Sequence, residues 1–198
     1  MNDDKKYVDK QVYRVVINAP IETVWSELVN TASPRPFFWN ARWDTKAGMT
    51  AGAKYRMASN GDKVVAVIGD IIEMDPPNKL VTSFQLTSLP DPASTVTYLL
   101  QEVDGGTEFS LVTEHIVAGS KSEKSMAAGS KFIVENFKAY VETGKVTFGA
   151  RMMNALYGLM TPMTPMTPTP MLPCAQLGAS NIAVASRFAS FEFRSSPS

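Results

Sequence analysis

Within Tyr7 to Pro20 the side chains alternate. Tyr13, Val15 and Ile17 fall on one side and Val12, Arg14 and Val16 on the other, the period-two pattern of a strand. Asn18-Ala19-Pro20 ends it. Pro20 suits the first turn of a helix, where a missing N–H costs nothing, and Glu22 adds a favourable charge there. Val24, Trp25, Leu28 and Val29 follow at helical spacing, and the helix is expected to stop within Asn30 to Pro34. Further on, short apolar or β-branched runs predict strands at Lys54 to Ala58, Lys63 to Met74, Leu80 to Leu86, Thr95 to Val103 and Thr107 to Val117. Turn signals separate them: Asn60-Gly61-Asp62, Asp75-Pro76-Pro77-Asn78 and Asp104-Gly105-Gly106. Pro76 and Pro77 lack N–H donors, so no central strand runs through them.

Facing can be read from the same alternation. Val96, Tyr98 and Leu100 share one side of their strand. In the last strand Phe109, Leu111, Thr113 and His115 share a side, while Glu108, Ser110, Val112 and Glu114 share the other. This predicts a sheet with one covered face and His115 turned inward. From Lys121 to Thr143 the period changes. Met126, Gly129, Ile133, Phe137, Tyr140 and Val141 recur at three- and four-residue spacing, which predicts a long amphipathic helix ended by Gly144. The order gives an α+β fold with an antiparallel sheet of six to seven strands.

Residues 1–144 read as one domain. Residues 145–160 carry Met152, Met153, Leu156 and Leu159 and read as an additional helix. Residues 161–198 open on TPMTPMTPTPMLP, whose dense prolines forbid helix and sheet, so this tail is expected to be extended or disordered.

Charge narrows the partners. Lys+Arg and Asp+Glu both total 19, so the formal net charge is zero, where a nucleic-acid or anionic-membrane binder usually carries a basic excess. One cysteine, Cys174, and one histidine, His115, exclude an internal disulfide and a zinc site of four cysteines or of two cysteines with two histidines. No apolar run is long enough to span a bilayer, and the polar N-terminus lacks the core of a signal peptide. A soluble cytoplasmic protein is expected.

Candidate chemistry is sparse. An inward His115 would be a polar anchor or an acid/base group, or simply a hydrogen-bonded core histidine. Asp70 and Glu73 lie three apart on a strand, so they are expected on opposite faces, and solvent-facing charge is the simpler account. Arg56 is either an anchor for an anionic head group or a surface arginine near a hairpin. Phe37, Phe38, Trp39 and Trp43 crowd a segment that Pro34 and Pro36 keep out of a long helix. With Phe84, Tyr98 and Phe137 they line a pocket or fill the core. The Phe37 to Trp43 segment lies between elements and is the candidate lid. No GxSxG, phosphate-cradling glycine motif or GxGxxG occurs.

Several stretches carry a family resemblance: INAPIETVWSELVN, GMTAGAKYRM, GDIIEMDPPNKLVTSF, GGTEFSLVTEH and AAGSKFIVENFKAYVETG. Together, over roughly Tyr7 to Gly144, they resemble the START-like, helix-grip (SRPBCC) superfamily. Within it they are most similar to the branch named after the activator of heat-shock protein 90 ATPase homologue. The resemblance implies a curved antiparallel sheet gripping the long C-terminal helix, with a cavity between them. Relatives often have Gly-Trp near the start of that helix where this chain has Gly129-Ser130, a change expected to alter packing or the cavity mouth.

The expected function is binding of a small hydrophobic molecule between sheet and helix, by a carrier rather than an enzyme. The expected contacts are Phe37, Phe38, Trp39, Trp43, Phe84, Tyr98, Thr113, His115, Met126, Ile133 and Phe137. No catalytic residue, metal or cofactor is expected, and no nucleic acid. Two alternatives stand beside it. One is a chaperone ATPase-activating interaction module. The other is a cyclase- or dehydratase-type enzyme, which would need an acid/base pair in the cavity.

Overall fold

The structure, a computed structural model, describes residues 6–160, and side chains through residue 156. The expected disorder of residues 161–198 lies outside the described residues. In chain order come β1 (Gln11–Ile17), α1 (Ile21–Leu28), a 3-10 turn (Pro36–Phe38), β2 (Arg42–Asp44), β3 (Lys54–Ser59) and β4 (Val64–Asp75). Then follow β5 (Lys79–Leu86), β6 (Ser94–Val103), β7 (Gly106–Glu114), α2 (Lys121–Thr143) and α3 (Phe148–Met160).

The seven strands make one curved antiparallel sheet in the order β1-β7-β6-β5-β4-β3-β2. Each strand from β2 to β7 pairs with its sequence neighbour, and β1 closes the other edge beside β7. The short β2 has no alternation long enough to read from sequence. Pairing with β3, Trp43 opposite Met57, makes it a strand. A bulge between Ile71 and Glu73 interrupts the register of β4 on β5.

The bulge overturns one expectation. Simple alternation puts Asp70 and Glu73 on opposite faces, but an extra residue between them turns both outward. Asp70 meets Lys54 Nζ at 2.7 Å and Glu73 meets Lys79 Nζ at 2.8 Å, and both carboxylates are about half exposed. Arg56 likewise pairs at the surface with Asp44.

α2 has the bounds its sequence predicts, because both ends are capped. The Ser120 hydroxyl accepts from Glu123 N at 3.1 Å, and Glu123 Oε2 accepts from Gly119 N at 2.6 Å. At the other end Gly144 takes φ 72° and donates to Tyr140 O at 2.7 Å. One face of the helix lies across the sheet, burying Met126, Ile133 and Phe137. Its last turn is tied to the exit of β1, where Lys138 Nζ donates to Val16 O at 2.6 Å. Glu142 Oε1 accepts from Asn18 N at 2.8 Å and from Lys138 Nζ at 2.6 Å.

The Asn18 amide, with Lys138 beside it, holds the Glu142 carboxyl below its usual pKa. A depressed folded-state pKa gives stability that is present above the unfolded value and lost as pH falls through the folded one. Glu142→Gln is therefore expected to flatten the stability curve below about pH 4.5 and leave its slope above pH 6 unchanged. Urea midpoints measured across that range test this.

α3 leaves the grip behind. It begins where Asn136 Oδ1 accepts from Thr147 N (3.1 Å) and Thr147 Oγ1 (2.9 Å). It rests on the 3-10 turn through Asn154 Nδ2, which donates to Pro36 O at 2.9 Å.

Candidate functional site

The sheet's inner face and α2 enclose the candidate site. Tyr55 and Met57 come from β3, Leu80 and Thr82 from β5, Tyr98 and Leu100 from β6, Phe109, Leu111 and Thr113 from β7; all are buried. The segment from Pro36 to Trp43 is inserted between this face and α2. Phe37 is fully buried, its ring 4.7 Å from that of Phe137 and 5.4 Å from that of Tyr140. Phe38 meets Trp43 edge-on at 5.8 Å. Trp43 meets Tyr55 at 4.8 Å and Tyr98 at 6.3 Å, and Phe109 joins Tyr98 to Phe137. The expected lid is a plug: its aromatics fill the deep interior by touching one another.

Polar bonds hold the plug in place. Arg35 N donates to Ala41 O at 2.8 Å, and Arg35 O accepts from Phe38 N and Asn40 N, both at 3.0 Å. This closes a tight loop in which Trp39 and Asn40 take positive φ. The Arg35 side chain is 6% exposed. Its Nη1 pairs with Glu27 Oε2 at 2.8 Å and donates to the Tyr140 hydroxyl at 3.1 Å, which ties the loop to α1 and α2. The sequence reading singled out Arg56 and missed Arg35. The available signal was an arginine fixed between Pro34 and Pro36 just before two phenylalanines. Trp43 Nε1 donates to Leu28 O at 2.8 Å in the buried interior. Trp43→Phe is expected to destabilise the domain by about 1–3 kcal/mol, because it leaves that carbonyl unpaired. Chemical denaturation measures the loss.

Trp39 lies over the Gly129-Ser130 position of α2. Its indole stacks on Phe132, centroids 4.6 Å apart and 12° from parallel, and lies against Gly129, where a Cβ would sit 3.4 Å from the ring. An indole thus covers this point of α2 from outside the helix, and Ser130 beside it is buried.

One end of the interior is less completely filled. Between β5 and the first turns of α2 lies a cavity of about 10 Å³, walled by Phe84, Leu86, Ile116 and Met126. A water molecule needs roughly that much room. Ser94, Asp91 and Ser122 form its polar rim. Asp91 Oδ2 accepts from Ser122 Oγ at 2.7 Å and from Ser122 N at 3.3 Å, so the loop before β6 is latched over the opening.

His115 is not inside. The alternation stops at Glu114, and His115 takes φ 61°, which swings its ring out of the sheet. It is exposed, 3.2 Å from Thr95 Oγ1 through Nδ1 and edge-on to Tyr7 at 6.4 Å. Its neighbour Ile116 turns inward instead, to 2% exposure. Thr113 does face inward, fully buried, with Oγ1 3.5 Å from Gln11 Oε1. The buried phenols are poor acids: desolvation pushes Tyr55 and Tyr98 well above the usual tyrosine range. Among the described residues, no group of three or more His, Cys, Asp or Glu side chains could hold a metal ion. No helix among them is long and apolar enough to cross a membrane.

A curved antiparallel sheet closed by a long C-terminal helix, with aromatic side chains between, defines a helix-grip domain of the SRPBCC type. The chain belongs to the family described as activator of Hsp90 ATPase homolog 1-like protein, whose profile matches residues 18–142. Solved structures agree on the fold. The solution structure of the Aha1 dimer from Colwellia psychrerythraea is similar with a TM-score of 0.57 at 14% identity, covering 70% of this chain and 99% of that one. An HSP90 activator from Plasmodium falciparum is similar with a TM-score of 0.54 at 15% identity, covering 67% and 95%. CalU16 from Micromonospora echinospora is similar with a TM-score of 0.53 at 19% identity, covering 78% and 89%. A search of curated proteins by sequence finds no match.

Proposed function

We propose that this chain binds a small hydrophobic molecule at the β5–α2 end of the grip. The observation that carries this reading is the cavity bounded by Phe84, Leu86, Ile116 and Met126, where the sheet–helix interior is incompletely filled. Of the expected contacts, Phe84 and Met126 form the wall; Ile133 stands further along α2, and Trp39 packs on that helix through Phe132. Phe37, Phe38, Trp43, Tyr98, Thr113 and Phe137 make a packed floor. His115 has no part in it. Pockets for drug-sized ligands hold roughly 300–1,000 Å³, so the ligand must widen the site. Release of the Asp91–Ser122 latch and movement of the loop before β6 would provide that room.

The test is titration with a naphthalene-type fluorescent dye, and its displacement by molecules extracted from purified chain. Met126→Trp overfills the mouth, so at least a tenfold loss of dye affinity is expected; burial of Met126 means the variant is also destabilised, by about 1–3 kcal/mol, and a cooperative unfolding transition shows that it still folds. Absence of dye binding by the unaltered chain, or binding that Met126→Trp leaves unchanged, overturns the reading.

The filled deep interior favours a second reading, in which the outer surface acts on a chaperone. The family description and the activator from Plasmodium falciparum point the same way. Stimulation of the ATPase of a heat-shock protein 90 by the purified chain would support it. No binding and no stimulation would remove it.

A further inference from the structure

α3 lies beyond residues 18–142, the span that matches the family, and follows the sheet and α2 in the chain. Only Ala150 of its described side chains is buried. The outward face carries Phe148, 75% exposed, Met152, 55%, and Leu156, 55%, with Met153, 41%, on its flank. Spaced four residues apart, the first three form one stripe along the helix. The described part of α3 holds a single charge, Arg151, to the side of the stripe. A helix apolar on this face, and nearly uncharged around it, needs something to cover it.

We infer that a second copy of this chain covers it, through antiparallel pairing of the two α3 helices about a two-fold axis at Met152. Three observations favour a second copy over another occupant. The stripe is self-complementary: reversed about Met152, it sets Phe148 against Leu156 of the other copy, Gly149 against Ala155, and Met152 against its own equivalent. The small Gly149 leaves open space beside the stripe, which suits close helix–helix approach. The four exposed side chains offer roughly 500 Å² per copy, and a pair would bury about 1,000 Å², the lower limit for a specific interface. Charge disfavours a lipid surface, because a membrane-bound amphipathic helix usually carries several Lys or Arg opposite its apolar face, and α3 has one. The inference is independent of what the grip binds.

Analytical ultracentrifugation of the full chain, from about 1 to about 100 µM, reads the association. A monomer–dimer equilibrium is expected, with Met152→Glu weakening it at least tenfold. Met152 is exposed, so an unchanged unfolding midpoint at the lowest concentration shows that the variant still folds. In a Cys174→Ser background, Met152→Cys is expected to give an oxidised cross-linked dimer, since the two copies of residue 152 meet on the axis. A chain that stays monomeric at about 100 µM overturns the inference. So does a dimer indifferent to Met152→Glu, a Met152→Cys chain that does not cross-link, or a monomer that co-sediments with neutral phosphatidylcholine vesicles.

Discussion

Phe137→Ala is expected to destabilise the domain by about 3–5 kcal/mol, the range for removing a large aromatic from a core that cannot collapse around the gap. Phe137 is fully buried in the C-terminal half of α2. Its ring lies 4.7 Å from Phe37 on the plug and 4.8 Å from Phe109 on β7, so it joins three separate elements. None of them can easily move in to fill the space. Phe37 is held by the Arg35 loop, and Phe109 sits on a strand paired on both edges. Domains are typically stable by only about 5–15 kcal/mol, so this one change would use much of the total. Thermal and urea unfolding measure it. The variant should also gain a dry apolar cavity, and a benzene-sized molecule that enters it should raise the midpoint in a concentration-dependent way. A loss below about 1 kcal/mol would mean that the aromatic chain does not hold plug, sheet and helix together.

Most of this architecture was legible in the chain because it follows from short-range rules. Turn residues at Asn60-Gly61 and Asp104-Gly105 set the hairpins, and helical spacing with two caps set α2 from Lys121 to Thr143. The candidate site was less legible because its facing depends on where alternation breaks. Period-two counting carries a side chain to the correct face only while the strand stays regular. One extra residue near Ile72 moved Glu73 to the same side as Asp70, and one positive φ after Glu114 turned His115 to solvent. Both breaks are set by neighbouring strands and the following turn, and neither alters the local composition.

The aromatic segment shows a different limit. Four large rings between Phe37 and Trp43 had to meet apolar surface, and that much was readable. Whether they cover a void or fill it depends on volumes contributed by five other elements. Arg35 decides how firmly the plug is held, and its partners Glu27 and Tyr140 lie 8 and 105 residues away in sequence. No local pattern predicts such a clasp. It bears on function, because a ligand that reached the deep interior would have to displace a segment fixed by the ion pair of the buried Arg35 with the half-buried Glu27. A ligand at the mouth would displace only the Asp91–Ser122 latch. The mouth is therefore the more accessible place for binding.

Gly69→Ala is expected to cost about 2–6 kcal/mol although it adds a single methyl group. Gly69 does not take a positive φ, so the left-handed backbone that favours glycine plays no part. The reason is a close approach: a Cβ at position 69 would lie 2.0 Å from Ser83 O and 2.8 Å from Tyr55 Cε1. Both sides are constrained. Ser83 O belongs to β5, and it accepts the Tyr55 hydroxyl at 2.9 Å. Making room means pushing two paired strands apart, with an overpacking cost of about 1–3 kcal/mol, and breaking the bond to a mostly buried phenol, about 1–3 kcal/mol more. The two costs share one cause, so a double-mutant cycle should expose it. Once Tyr55→Phe has removed the hydroxyl, Gly69→Ala should cost at least 1 kcal/mol less than in the native chain. Additive losses would show that the methyl acts on the strands alone. The effect should also reach the site, because Tyr55 packs 4.8 Å from Trp43 at the base of the plug. Tyrosine and tryptophan near-ultraviolet circular dichroism of Gly69→Ala, taken under folding conditions, is expected to weaken with the stability, and an unchanged spectrum would place the strain elsewhere.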